Sequence, residues 1–156
     1  MDTNEKLTEV LNDLIEINND RVTGYEKAVE ETKNLDVDLQ AIFHSLANDS
    51  RKYAAELTQE VNKLGGEATR DTTTSGKIYR AWMDVKATFT GHDRESVLSS
   101  CEFGEDAAQK AYTTALASDA EISAEVRTLI TGQQATLKIA HDLIKKYRDL
   151  HHAINS

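Results

Sequence analysis

The chain is predicted to be all-α: a four-helix bundle built from two antiparallel helical hairpins, joined by a long crossover that carries a short extra helix. Three observations predict it. The 156 residues contain no proline and only seven glycines, so little interrupts a helix. Apolar residues recur at steps of three and four along most of the chain, which draws a stripe down one face of a helix. The connections between these stretches run short, long, short.

The first helix is expected over about residues 4–32. Leu7, Val10, Leu11, Leu14, Ile17, Val22, Tyr25, Ala28 and Val29 form its apolar stripe. The second is expected over 36–64, where Leu39, Ile42, Phe43, Leu46, Ala47, Tyr53, Ala54, Leu57, Val61 and Leu64 repeat the pattern, and Gly65-Gly66 is a helix stop. Residues 65–76 (GGEATRDTTTSG) read as loop. A short helix over 77–89 follows, with Trp82 as the side chain that plugs it onto the bundle. Asp93 is an N-cap for a helix over 94–116, and the last helix is expected over 120–152.

Short links near residues 33–35 and 117–119 make two hairpins. About 28 residues separate the hairpins, and a helix of ~29 residues is ~43 Å long. A connection of that size suits a crossover that returns along the bundle. A plain up-down bundle with an inserted loop is the other reading. All 156 residues then form one domain.

Composition excludes several functions. The net charge is −9, which opposes nonspecific binding to nucleic acid or to anionic membrane. No apolar run approaches the ~20 residues of a membrane span. The first residues, MDTNEKL, lack the pattern of a secretory signal, and the single cysteine forms no internal disulfide, so the expected compartment is the cytoplasm. There is no phosphate loop, no dinucleotide-binding glycine motif and no nucleophile elbow. Cys101 has no positioned base beside it and reads as a buried, inert thiol.

Polar residues interrupt the inward stripes. Asn18 and Arg21 lie on that of the first helix, beside Tyr25. Glu102 and Glu105 are three apart in the third long helix, on a stripe that continues to Tyr112. His141 neighbours Leu137, Ala140 and Ile144 in the last helix. A buried carboxylate pair must be neutralised by a metal, a cation or a proton. In one reading Glu102, Glu105 and His141 belong to a metal site with oxygen and imidazole donors. In the other, Glu105 pairs with Arg21 or Lys138, and His141 hydrogen-bonds a Tyr or an Asn. A small-molecule site lined by Tyr25, Tyr53 and Tyr112 is a third.

Four strings together resemble a known family: LNDLIEINNDRVTGYEKA (11–28), AWMDVKATFTGHD (81–93), CEFGEDAAQKAY (101–112) and HDLIKKYRDL (141–150). The chain resembles a bacterial family of four-helix bundles in the ferritin-like superfamily, catalogued as a domain of unknown function. The resemblance implies the ferritin-like bundle and no particular activity. Di-iron members of that superfamily carry carboxylate and histidine ligands on all four helices. Matched by that pattern, their ligand positions fall here on Asn18, Ser50, Tyr53, Glu105, Lys138 and His141, so one Glu and one His remain. The resemblance therefore implies a polar cluster of Asn18, Arg21, Tyr25, Tyr53, Glu105, Tyr112, Lys138 and His141 in place of a di-iron centre. No cofactor is expected. The resulting expectation is a non-catalytic bundle with a structural, stress-associated or protein-interaction role, self-associating, most simply as a dimer. The alternative is a metal-dependent oxidoreductase or metal-storage protein. It would hold iron or manganese on a shifted set of Glu102, Glu105, Glu56 and His141.

Overall fold

A computed structural model describes residues 3–31, 37–70 and 94–155. Among them are four α-helices: α1 (Thr3–Glu31), α2 (Val37–Lys63), α3 (Arg94–Leu116) and α4 (Ala124–Asn155). No strand occurs among the described residues. The expected short helix over 77–89, with Trp82, lies outside them.

Helix α2 ends where the glycine pair predicts. Gly65 adopts φ 76°, a left-handed conformation that costs glycine nothing. Its N–H donates to Asn62 O at 3.0 Å, and the Gly66 N–H donates to Val61 O at 3.1 Å. These two bonds make a Schellman motif, satisfying carbonyls that a bare helix end would leave open. Gly66 also sits against α1, and a Cβ there would lie 2.8 Å from Thr8 Cγ2. The following strand of chain is clipped to α1 by one side chain. Asn12 Nδ2 donates to Glu67 O, and Asn12 Oδ1 accepts from the Thr69 N–H, each at 3.0 Å.

The last helix starts four residues later than its expected start at 120. Ser123 is its cap: its Oγ accepts from the Val126 N–H at 3.2 Å. The link from α3 to α4 is therefore longer than the expected 117–119 turn.

Cross-helix bonds fix the topology. Gln40 reaches Val29 while Asn12 holds the chain beyond α2, so α1 and α2 are antiparallel. Asn18 meets Tyr112 and Arg21 meets Glu105, so α1 and α3 are antiparallel. Gln109 meets Gln134 and Glu102 meets Arg148, so α3 and α4 are antiparallel. Helix α4 also packs against α2, which leaves α2 and α3 diagonal and parallel. Hence α2 finishes at one end of the bundle and α3 begins at the other. That is the crossover arrangement, not the plain up-down one.

The core divides into two apolar clusters. One gathers Leu11, Leu14, Leu57, Ala108, Ile130 and Leu137 toward the start of α1. The other gathers Tyr25, Phe43, Leu98, Cys101, Ala140 and Ile144 toward its end. Polar side chains occupy the level between them.

Candidate functional site: a buried polar layer at mid-bundle

Arg21 is 0% exposed and Glu105 is 1% exposed. Arg21 Nε donates to Glu105 Oε1 at 2.5 Å, and Arg21 Nη1 donates to Ser50 Oγ. Ser50 Oγ donates to Asn18 Oδ1 at 3.0 Å. Asn18 Nδ2 donates to the Tyr112 hydroxyl at 2.9 Å and to Leu14 O at 2.8 Å. The Tyr112 hydroxyl donates to Gln133 Oε1 at 2.6 Å, and Gln133 Nε2 donates to Glu56 Oε1 at 3.1 Å. The chain of bonds thus runs Glu105, Arg21, Ser50, Asn18, Tyr112, Gln133, Glu56, and it takes side chains from all four helices.

The electrostatics follow from burial. Burial opposes the charge on Arg21, but Glu105 outweighs it and holds the guanidinium protonated more firmly than usual. The Tyr25 phenol is pushed well up, first by burial and then by Glu105. The Tyr112 phenol is also raised, by burial. The Arg21 guanidinium carbon lies 5.3 Å from the Tyr25 ring centroid, within cation–π range. Three atoms at this end have no hydrogen-bond partner: Arg21 Nη2, the Tyr25 hydroxyl and Glu105 Oε2.

Of the residues expected in the polar cluster, Asn18, Arg21, Tyr25, Glu105 and Tyr112 meet at this level. Tyr53 contributes at its edge, where its carbonyl accepts from Gln133 Nε2 at 3.4 Å. Lys138 does not join them. It follows the inward Leu137 by one residue, about 100° around the helix, so it points outward. Its side chain is 67% exposed and faces Asp142 at 3.6 Å. His141 does not join them either. It turns to the α3–α4 groove, where Nε2 meets Asp106 Oδ1 at 2.6 Å and Nδ1 meets Asp142 Oδ1 at 3.1 Å. Burial works to lower its pKa, but the bonds to Asp142 and Asp106 outweigh that and raise it.

The four residues of the alternative metal set do not converge. Glu105 is taken by Arg21 and Glu56 by Gln133, each away from the other two, while Glu102 bonds Arg148 through Oε2 alone. Of the four, Glu102 and His141 are neighbours, grouped with Asp106.

Sequence reasoning missed Gln133 and gave Ser50 no partner. The signal for Gln133 was present. Ile130, Leu137, Ala140 and Ile144 are its inward neighbours at helical spacing, and stepping back one turn from Leu137 lands on it.

Four antiparallel-packed helices with a crossover between diagonal neighbours and a polar layer at mid-height define a ferritin-like four-helix bundle. The chain belongs to the family described as "Domain of unknown function (DUF2383)", whose model matches residues 6–118. Among solved structures, a Phe-to-Glu mutant of Mycobacterium smegmatis Dps1 has a similar fold. Its TM-score is 0.76 at 9% identity, covering 94% of this chain and 97% of that one. A search of the curated proteins finds no match.

Carboxylates are few among the described residues at mid-bundle, where a di-iron centre would need them. Such a centre needs several carboxylates to bridge and neutralise two cations. Here the layer offers mainly amide, hydroxyl and phenol groups; of the carboxylates near it, Glu105 already faces a guanidinium, Glu56 accepts from Gln133, and Asp20 is buried on α1.

Proposed function

We propose that this protein is a non-catalytic ferritin-like bundle with a structural, stress-associated or protein-interaction role. In it, a cation of the chain's own, Arg21, stands where the superfamily's di-iron members hold metal. The observation that carries this reading is the buried Arg21–Glu105 pair at 2.5 Å. A guanidinium carries its charge permanently and has no redox chemistry. It neutralises Glu105 and repels a second cation from the same level.

Self-association belongs to the same reading. Val37, Phe103, Ile139 and Leu150 are apolar side chains exposed on the outside of the helices. Sedimentation velocity tests that part: a dimer that weakens on Phe103→Ser or Ile139→Ser supports it, and a monomer at every concentration opposes it.

The central claim is tested by growth in iron-supplemented medium followed by metal analysis and absorption spectroscopy. The expected result is no oxo-bridged iron band and no iron that depends on Glu105. About two irons per chain, lost on Glu105→Ala, would overturn it.

A further inference from the structure

Outside the polar layer, one group of side chains has the arrangement of a metal site. Glu102 and Asp106 are one turn apart on α3, so their carboxylates project the same way. His141 reaches toward them from α4. One ligand atom from each residue lies within 4.8 Å of the other two. We propose that Glu102, Asp106 and His141 bind a single divalent first-row transition ion, such as Mn2+ or Zn2+, in the groove between α3 and α4. The site is separate from the Arg21–Glu105 pair and does not depend on the role proposed for it.

The donor set suits that class of ion. Two carboxylates balance a divalent charge, and one imidazole favours a transition metal over Mg2+ or Ca2+. The imidazole is already oriented. Its Nδ1 is held by Asp142 at 3.1 Å while Nε2 faces Asp106 at 2.6 Å. A carboxylate on the far nitrogen of a metal-bound histidine is a recurring device that fixes the ring and raises its basicity. Glu102 is steadied by Arg148 through Oε2, and Arg148 is itself held by Asp149 at 2.9 Å. The second oxygen of Glu102 remains as a donor.

Around an ion with bonds of roughly 2.1 Å, ligand atoms stand about 3.0–3.4 Å apart. To hold the ion, the Nε2–Asp106 contact at 2.6 Å opens and the ligand atoms, now within 4.8 Å of one another, close around it. Asp106 is 63% exposed while the His141 side chain is 19% exposed. The site is thus open to entry on one side, and water can complete the coordination there.

The test is isothermal titration calorimetry of tag-free full-length protein with MnCl2 and with ZnCl2, paired with Mn2+ electron paramagnetic resonance. Helicity of each variant is checked by circular dichroism. The expected result is one ion per chain. Affinity should fall at least about tenfold in His141→Ala and in Asp106→Asn, and severalfold in Asp142→Asn. It should stay unchanged in the paired variant Arg21→Met with Glu105→Leu. Saturable binding that is absent, or that survives both His141→Ala and Asp106→Asn, would overturn this site. Absent binding would leave the non-catalytic reading standing. Binding that survives those two variants and vanishes in the paired core variant would overturn both.

Discussion

Arg21 is the residue on which the interior turns. Its guanidinium is fully buried, so removing Glu105 alone leaves a charge with no counterpart. Glu105→Ala should cost about 3–5 kcal/mol in urea unfolding, while Arg21→Met combined with Glu105→Leu should recover most of it. A double-mutant cycle measures the difference directly. Cys101 presents the opposite case, a side chain made inert by its surroundings. Burial first, then the nearby Glu105, pushes its thiol far above the usual range, with Arg21 opposing. It should resist a thiol reagent such as DTNB in the folded protein and react fully once urea unfolds it. Much of this was legible in the sequence, because Asn18, Arg21, Glu105 and Tyr112 interrupt apolar stripes at helical spacing. Lys138 and His141 were misplaced for a physical reason. Lys138 is placed by a ligand pattern alone, whereas His141 borders the inward stripe and turns instead to Asp106 and Asp142; the inward face of α4 at this level is set by Ile130, Gln133 and Leu137.

At the scale of the element, the ends of the helices carry the sharpest information. Gly65 closes α2 with positive φ, and an added Cβ meets open space but a strained backbone. Gly65→Ala should cost about 1 kcal/mol in chemical denaturation. Ser123→Ala removes the cap of α4 and should also cost about 1 kcal/mol, without changing the rest of the helix. The two ends were not equally readable. A glycine pair after an apolar stripe has few other uses, whereas Asp119, Ser118 and Ser123 all have capping chemistry. Which of them caps depends on where α4 must start to meet α3, and that is a tertiary constraint. Lys6 illustrates it, since its bond to Asp119 at 3.0 Å ties that residue to α1 instead.

For the whole molecule, the two apolar clusters and the layer between them form one continuous interior. Leu57 belongs to the first cluster and Phe43 to the second, both fully buried on α2. Leu57→Ala should cost about 2–5 kcal/mol and Phe43→Ala about 3–5 kcal/mol. Each should lower the same single thermal transition, followed by circular dichroism, since the hydrogen-bonded layer joins the two ends. Separate transitions would show that the layer divides the bundle rather than couples it. The crossover has a further consequence. With α2 and α3 parallel across a diagonal, every pair of adjacent helices is antiparallel. Each helix carries a macrodipole worth roughly half an elementary charge at its ends, positive at the N-terminus. Around either end of the bundle the signs therefore alternate, plus beside minus, and the four dipoles cancel at a distance. The far field of the molecule is left to its side chains, whose net charge is −9. An approaching cation is drawn by local groups of carboxylates on the helix flanks, not by an axial field at either end of the bundle.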